Sequence, residues 1–440
     1  MDQRTPLLYN RTYTTMTKYL CGSFAISVCL ILSFVAATTR EPSRPEPSRK
    51  ISEPSVSYSP QPQHFPNERL YQAYLAIQRF KSSISSDPKN ITTTWSGHDI
   101  CGRKTYLGFH CGRTPDLTKN LTIMAVAFND FGLSAPMLRG FIDQLPDLVL
   151  FQASSNNFGG GIPPLGSLQY KYKLSIHDDR HDPFSESKYL LGTTLGVGPA
   201  NVVVQLAVVK TPRKGTNLNS GRALFLNGNN ISGSLPANLG FSKLSYLALA
   251  NNKLTGPIPP SIANMQDSLL EMLLLNNQLS GCLPNELGML TKTAVIDAGM
   301  NQLTGPIPSS FSCLSSVEQL NLAGNRLYGQ VPDALCKLAG PAGRLANLTL
   351  SGNYFTSVGP ACSALIKDGM LDVKHNCIPG FANQRGPAEC ASFLSQPKTC
   401  PSASSRVACP AADAKTNAAA PGARVAKDYS SYVVYATLHE

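Results

Sequence analysis

Residues 251–288 read NNKLTGPIPPSIANMQDSLLEMLLLNNQLSGCLPNELG, and the stretch says nearly the same thing twice. Asn-Asn-Lys-Leu-Thr-Gly-Pro-Ile-Pro returns as Asn-Asn-Gln-Leu-Ser-Gly-Cys-Leu-Pro. Working outward, the phrase recurs around Asn229, Asn252, Asn277, Asn301, Asn325 and Asn353, spaced by 23 to 28 residues. Weaker copies end at Asn129 and Asn156. An apolar pair sits five and three positions before each Asn, as in Leu224/Leu226, Leu247/Leu249 and Leu320/Leu322. The template is L-x-L-x-x-N-x-L-x-G-x-x-P, a leucine-rich repeat.

One such repeat cannot bury its apolar edge alone, so neighbours must stack. A short strand sends alternate side chains to opposite sides, which turns the two Leu inward and the residues between them outward. Stacked strands form a parallel sheet with ~4.8 Å between copies. The Asn at the strand's end turns inward, where its amide can serve backbone groups that would otherwise cost ~1–3 kcal/mol each when buried unpaired. Gly permits the bend that follows, and Pro pre-sets the return arm. The expected fold is an α/β leucine-rich repeat solenoid of about ten coils, with a parallel sheet on its concave face.

Rigid concave surfaces of this kind suit macromolecular ligands, and the outward ladder can be read off. Ligand-binding candidates near its middle are Phe225, Asn227, Tyr246, Glu271, Leu273, Asp297, Gln319 and Asn321. The surface they form is expected to be small, polar and mildly apolar.

The ends of the chain place it in a compartment. Arg4, Arg11 and Lys18 precede an apolar run from Leu20 to Ala37 that closes on Val35-Ala36-Ala37, so residues 1–37 read as a secretory signal peptide, or alternatively an uncleaved membrane anchor. No later stretch reads as a second span. Residues 38–66 are a Pro/Ser-rich linker. Residues 67–117 open on a helical pattern (Leu70, Tyr74, Leu75, Ile77, Phe80, Ile84) that Pro88 ends, followed by Trp95, and read as an N-terminal cap. Repeats occupy 118–358, with the pattern decaying over 166–221, where Leu174/Ile176 and Leu206/Val208 look like strand remnants. A Cys-rich C-terminal cap covers 359–409, and 410–440 is low in complexity.

Ten cysteines lie outside the apolar leader: Cys101, Cys111, Cys282, Cys313, Cys336, Cys362, Cys377, Cys390, Cys400 and Cys409. An even number in a secreted setting reads as disulfides. Nearness favours Cys101 with Cys111, and the other eight remain open. Asn90, Asn120, Asn230 and Asn347 head Asn-x-Ser/Thr triplets that accept glycans in a secreted chain. The formal net charge is +11, but residues 117–355 hold sixteen Lys/Arg against thirteen Asp/Glu, so much of the excess lies outside the repeats.

Catalytic signatures are missing. SIHDDRHD (175–182) has two His four apart beside acids, but it falls in the decayed stretch with no helical signal, and reads as a solvated loop rather than a metal site. TPRKGTN (211–217) is basic without a phosphate-loop pattern, and no G-x-S-x-G or H-E-x-x-H occurs. A non-enzyme with no metal and no cofactor is expected.

The phrases GPIPPSI, GPIPSSF, GSLPANL and GCLPNEL are similar to plant-specific leucine-rich repeats. NERLYQAYLAIQRFKSSISSDPKN, SVEQLNLAGNRLYGQVPDALCKL and the tail bearing Cys336, Cys362, Cys377 and Cys390 resemble the leucine-rich repeat extensins of plant cell walls, over about 67–400. That resemblance implies a cell-wall protein whose repeats bind small basic peptides of the rapid alkalinization factor type in growth or wall-integrity signalling. The family's Ser-Pro-rich runs are absent, so the chain reads as a tail-less member without extensin crosslinking. The decay over 166–221 is expected to remove or reshape two or three strands of the concave face, or to mark a degenerating copy. The expected function is a secreted, non-catalytic peptide- or protein-binding module, with no nucleic-acid partner. The alternatives are an inhibitor of a wall-degrading enzyme such as polygalacturonase, or a wall protein that holds pectin through its basic excess.

Overall fold

Ten short strands hydrogen-bond side by side in near chain order, and the Leu-x-Leu alternation explains each of them. The computed structural model describes residues 60–102, 105–114, 119–165, 222–340, 343–400 and 409. The leader 1–37, most of the 38–66 linker, the 166–221 stretch with its strand remnants and SIHDDRHD, and the 410–440 tail lie outside the described residues.

The concave sheet begins with β1 (Phe109–Arg113), which runs antiparallel to β2 (Leu121–Ala127). A second short pair, β3 (Ser134–Ala135) and β5 (Asn157–Phe158), lies outside it. The main sheet continues in parallel through β4 (Leu150–Gln152), β6 (Arg222–Phe225), β8 (Leu244–Ala248), β10 (Glu271–Leu273), β12 (Val295–Asp297), β14 (Gln319–Asn321), β16 (Asn347–Thr349) and β18 (Leu371–Asp372). The face is continuous across the decayed stretch. β4 pairs directly with β6, Leu150 opposite Ala223 and Gln152 opposite Phe225. Backbone bonds continue beyond the strands, from Ala153 N–H to Phe225 O at 2.9 Å and from Ser155 N–H to Asn227 O at 2.9 Å.

The N-x-L-x-G segments build a second parallel sheet on the flank, which the return-arm reading did not foresee. Its strands are β7 (Ser232–Ser234), β9 (Lys253–Gly256), β11 (Gln278–Cys282), β13 (Gln302–Gly305), β15 (Arg326–Val331) and β17 (Tyr354–Val358). Gly281 and Gly305 hold φ of 85° and 94° there, which only glycine takes without strain. The return arms then coil into short 3₁₀ turns such as Pro260–Met265 and Ser309–Cys313.

Between the two sheets runs the asparagine ladder. Asn301 Nδ2 donates to Leu274 O at 3.0 Å on the preceding coil and to Ala298 O and Gly299 O at 3.2 and 2.9 Å on its own. Its Oδ1 accepts from Leu279 N–H at 3.0 Å. Asn156, Asn229, Asn252, Asn277, Asn325 and Asn353 repeat this pattern. Asn229 does so across the β4–β6 join, donating to Ala153 O at 2.8 Å and accepting from Phe158 N–H at 3.1 Å. Two positions differ from the sequence reading. Phe131, not Asn129, stands at the ladder position of its coil, and Asn129 instead accepts from Ser154 N–H at 2.9 Å on the next coil. Asn376 adds a rung inside the C-terminal cap, fully buried and bonded to Leu350 O at 2.9 Å and Phe355 N–H at 3.0 Å. That region therefore begins as one more coil.

At the N-terminal end α1 (Glu68–Ser83) covers the first coils. Asn67 caps it by accepting from Leu70 N–H, and its amide donates to Leu121 O at 2.8 Å, tying helix to sheet. The buried face is Leu70, Ala73, Ala76, Ile77 and Phe80, with Tyr74 and Leu75 only half-buried. Phe80 stacks on Phe141 at 4.1 Å, and fully buried Trp95 donates its indole N–H to Leu107 O at 3.0 Å.

At the other end, α2 (Asp333–Cys336) is tied to α3 (Pro360–Lys367) by Cys336–Cys362. Cys377–Cys390 holds α4 (Pro387–Leu394). The chain then turns back along the flank sheet as a strap. Phe393 stacks on Tyr354 at 3.6 Å, and Lys398 Nζ sits 4.1 Å from the Phe393 ring centre and 4.9 Å from that of Tyr328. Cys282–Cys400 and Cys313–Cys409 close loops of 118 and 96 residues onto earlier coils. Cys101–Cys111 is the local N-terminal bridge. Crosslinks over separations of this size restrict the unfolded chain strongly, by roughly 4–5 kcal/mol in the chain-entropy account.

Replacing Asn301 by Ala orphans Leu279 N–H and three carbonyls. We expect a loss of at least about 2 kcal/mol in chemical denaturation, against less than about 0.5 kcal/mol for Ala at neighbouring, exposed Gln302.

Candidate ligand-binding face

The sheet register brings seven of the eight candidates into two rows, with Asn227 just beyond the end of β6. Ala223, Tyr246, Glu271, Val295, Gln319 and Asn347 form one, and Phe225, Ala248, Leu273, Asp297, Asn321 and Thr349 form the other. Both rows point away from the Leu-lined core, since Leu224, Leu247, Met272, Ile296 and Leu320 between them point into it.

This outer face, expected to be small, polar and mildly apolar, is buried and apolar at its middle. Phe225, Ala248, Leu273 and Val295 form a second buried apolar cluster, against which Leu150, Ala223, Tyr246 and Ala294 pack. The reason is steric: neighbours within a row stand one strand spacing apart, ~4.8 Å, so the large side chains close over the small Ala223 and Ala248 between them. The rings of Phe225 and Tyr246 lie 6.3 Å apart, inclined by 29°. Leu273 and Asp297 are fully buried and Gln319 and Asn321 nearly so, while Asn227, Tyr246 and Glu271 are half-buried.

Several polar candidates hold backbone. Asp297 Oδ1 accepts from Gly299 N–H at 3.0 Å and Asn321 Oδ1 from Ala323 N–H at 3.0 Å, so each closes the end of its own strand. Asn321 also fills the space above Gly299, where a Cβ would stand 2.8 Å from its Nδ2. Asn227 accepts from Ala250 N–H at 2.9 Å on the next coil. Asp372 repeats the Asp297 bond on β18, at 3.1 Å to Lys374 N–H.

Two candidates have buried polar atoms without partners. Glu271 Oε2 and both polar atoms of the Gln319 side chain make no hydrogen bond. Val295 lies between them in the register, placing the two groups two strand spacings apart, ~10 Å. Burial pushes the Glu271 carboxyl up to about 7. Burial also raises the Tyr246 hydroxyl, and the neighbouring Glu271 raises it further. Asn347, one of the glycan-acceptor positions, heads β16 in the same row next to Gln319 and so bounds the face on that side. The ion pair between exposed Arg344 and buried Glu318 lies just outside the rows and was not singled out in the sequence, because neither residue sits on the repeat template.

Among the described residues no group of three or more His, Cys, Asp or Glu could hold a metal ion. No described helix is long and apolar enough to cross a membrane.

Two largely parallel sheets joined by an asparagine ladder and closed by caps define a leucine-rich repeat protein. The Leucine Rich Repeat family model matches residues 243–265 and 316–338. Leucine-rich repeat extensin-like protein 6 of Arabidopsis thaliana is 35% identical over 339 residues, covering 76% of this chain and 69% of the relative. Leucine-rich repeat extensin-like protein 7 of the same plant is 33% identical, covering 77% and 75%. The chain belongs to the leucine-rich repeat extensin-like family. It spans only 31% of the length of extensin-like protein 2, at 35% identity. Among solved structures it is similar to the leucine-rich repeat ectodomain of the Arabidopsis thaliana receptor kinase GASSHO1/SCHENGEN3 in complex with CASPARIAN STRIP INTEGRITY FACTOR 2. That similarity has 24% identity and a TM-score of 0.46 over 70% of this chain and 33% of the other.

The Glu271 carboxyl fixes a pH dependence. Its folded value of about 7 lies above the ordinary 4.5, so between those values the folded protein holds a proton that the unfolded chain has released. Stability from this group is highest below pH ~4.5 and falls as the pH rises to ~7. Glu271→Gln keeps the shape and removes the titration. The variant's melting temperature is therefore expected to gain on that of the native protein between pH 4.5 and 7, as read by scanning calorimetry.

Proposed function

We propose that the chain is a secreted, extracellular, non-catalytic recognition module of the plant cell wall whose concave face takes a basic peptide. The observation that carries this reading is the patch itself: an apolar cluster set with a carboxyl and an amide that have no partners. Burying such groups unpaired costs ~1–3 kcal/mol each, and more for a charge. A Lys or Arg side chain of a ligand would pair Glu271, a backbone amide would pair Gln319, and apolar neighbours would pack on Tyr246 and Phe225. Small basic signalling peptides of the rapid alkalinization factor type have this chemistry. The five disulfides support an oxidising, extracellular setting.

The test is calorimetric titration of the full secreted chain with a panel of alkalinization-factor peptides. Saturable binding is expected, weakened at least tenfold by Glu271→Gln or Phe225→Ala and unaffected by Gln302→Ala on the flank sheet. Because a cation displaces the Glu271 proton, affinity should rise as the pH approaches and passes ~7, with proton release visible as a buffer-dependent enthalpy. A folded protein that binds none of the panel, or whose binding ignores Glu271, contradicts the proposal.

A further inference from the structure

A second site lies away from the concave face. Where the short β3–β5 pair meets the first strand of the flank sheet, an open groove of about 610 Å³ runs beside the trailing end of α1. That volume falls within the ~300–1,000 Å³ range of small-ligand sites. Its polar lining comes from Ser83, Ser85, Ser134, Asn157, Asn230, Ser232 and Lys253, and the described lining contains no carboxylate and no aromatic ring. Backbone bonds make the seam rigid: Ser85 N–H donates to Ser134 O at 2.8 Å, Asn230 N–H to Phe158 O at 3.0 Å and Ser232 N–H to Gly160 O at 2.9 Å.

The lining divides into spent and unspent groups. Asn157 Nδ2 donates to Ser134 Oγ at 3.1 Å and Ser85 Oγ to Ser134 O at 3.2 Å, which fixes those side chains. The Asn230 amide, the Ser232 hydroxyl and the Lys253 ammonium make no hydrogen bond or ion pair among the described residues, and all three are exposed. Gly160 closes the floor with φ of 72°, and a Cβ there would stand 2.9 Å from Pro136 O, so the backbone is held bare at this point. Hydroxyl and amide groups on a rigid wall, bare backbone, and a single cation with no acid nearby suit a ligand rich in hydroxyls, neutral or bearing carboxylates. Asn230, Ile231 and Ser232 also form an Asn-x-Ser glycan acceptor whose Asn stands at the groove, independently placing sugar chemistry at this spot.

We propose that this groove is a carbohydrate-binding site. Two sources share that chemistry: the glycan carried by Asn230 itself, and a wall oligosaccharide, of which an acidic one would pair with Lys253. The proposal stands apart from the concave-face reading, since no concave residue takes part.

The test uses the full secreted chain, native and with single substitutions at the groove. Native protein is treated with an endoglycosidase without unfolding, and release from Asn230 is followed by glycopeptide mass spectrometry against release from exposed Asn90. If the groove seats the chain's own glycan, Asn230 is released at least tenfold more slowly than Asn90, and Ser134→Ala narrows the gap. Asn230→Gln removes the acceptor but leaves the groove open, and is titrated with oligogalacturonide and with neutral cello-oligosaccharide. If the groove takes a wall sugar, this form binds one of them saturably, and Lys253→Glu weakens the acidic one at least fivefold. Ser232→Tyr fills the groove from an exposed position and abolishes binding, while unchanged melting shows that it folds. Equal release from Asn230 and Asn90, together with no oligosaccharide binding by Asn230→Gln, overturns the proposal.

Discussion

Everything in this molecule hangs on one recurring side-chain amide. A solenoid turns its chain sharply at the end of each concave strand, and the turn buries backbone groups that neither sheet can serve. The inward Asn answers three carbonyls and one N–H at once, half on its own coil and half on the one before. Because its partners are backbone atoms, the arrangement leaves the outward residues between the rungs free to vary. Because it bridges coils, it sets their stagger and so fixes which outward residues stand in one row.

That constraint explains how the concave face stays whole where the repeat pattern fails. Asn229 reaches Ala153 as an ordinary rung reaches the coil before it, although the two are separated by 76 positions in sequence. The rows therefore run unbroken from β4 into β6, and Phe225 and Tyr246 take their places beside Leu273 and Glu271. The face is apolar at its middle because small and large residues alternate across strands. It is polar where Asp297 and Asn321 must close strand ends, and Glu271 and Gln319 remain as groups that the fold itself does not satisfy. The flank carries a different chemistry, with exposed Ser, Thr, Asn and Gln between the inward Leu of N-x-L-x-G, and its strap stapled by Cys282–Cys400 and Cys313–Cys409.

Much of this was legible in the chain, because period and polarity are properties of local sequence. The rungs from Asn229 to Asn353, the cap helix near Leu70 to Phe80, and the outward identity of Phe225, Tyr246 and Glu271 follow from spacing alone. Asn129 misled because its coil is shifted by two residues, so that Phe131 stands at the ladder position. Asn376 was hidden among cysteines and, like Asn353, lacks the Gly-x-x-Pro that follows the earlier rungs. The flank sheet was invisible because its strands are only three to six residues long, too short for alternation to register. Disulfide partners lie up to 118 residues apart and depend on where the strap runs, which no local pattern records. Burial of the outer rows was missed for a similar reason: it depends on which residues become neighbours across strands.

The central claim is that one continuous, ladder-held sheet carries the concave rows, with no break at β4–β6. Native-state amide hydrogen exchange, resolved by residue, tests it most directly. The account predicts that Ala153, Ser155 and Phe158 N–H exchange as slowly as Leu274, Ala298 and Leu303 N–H, since all are held by the same kinds of bond. Fast exchange confined to Ala153, Ser155 and Phe158 would mean that the coils part there, and that the rows carrying Phe225 and Glu271 do not form one surface with the coils before them.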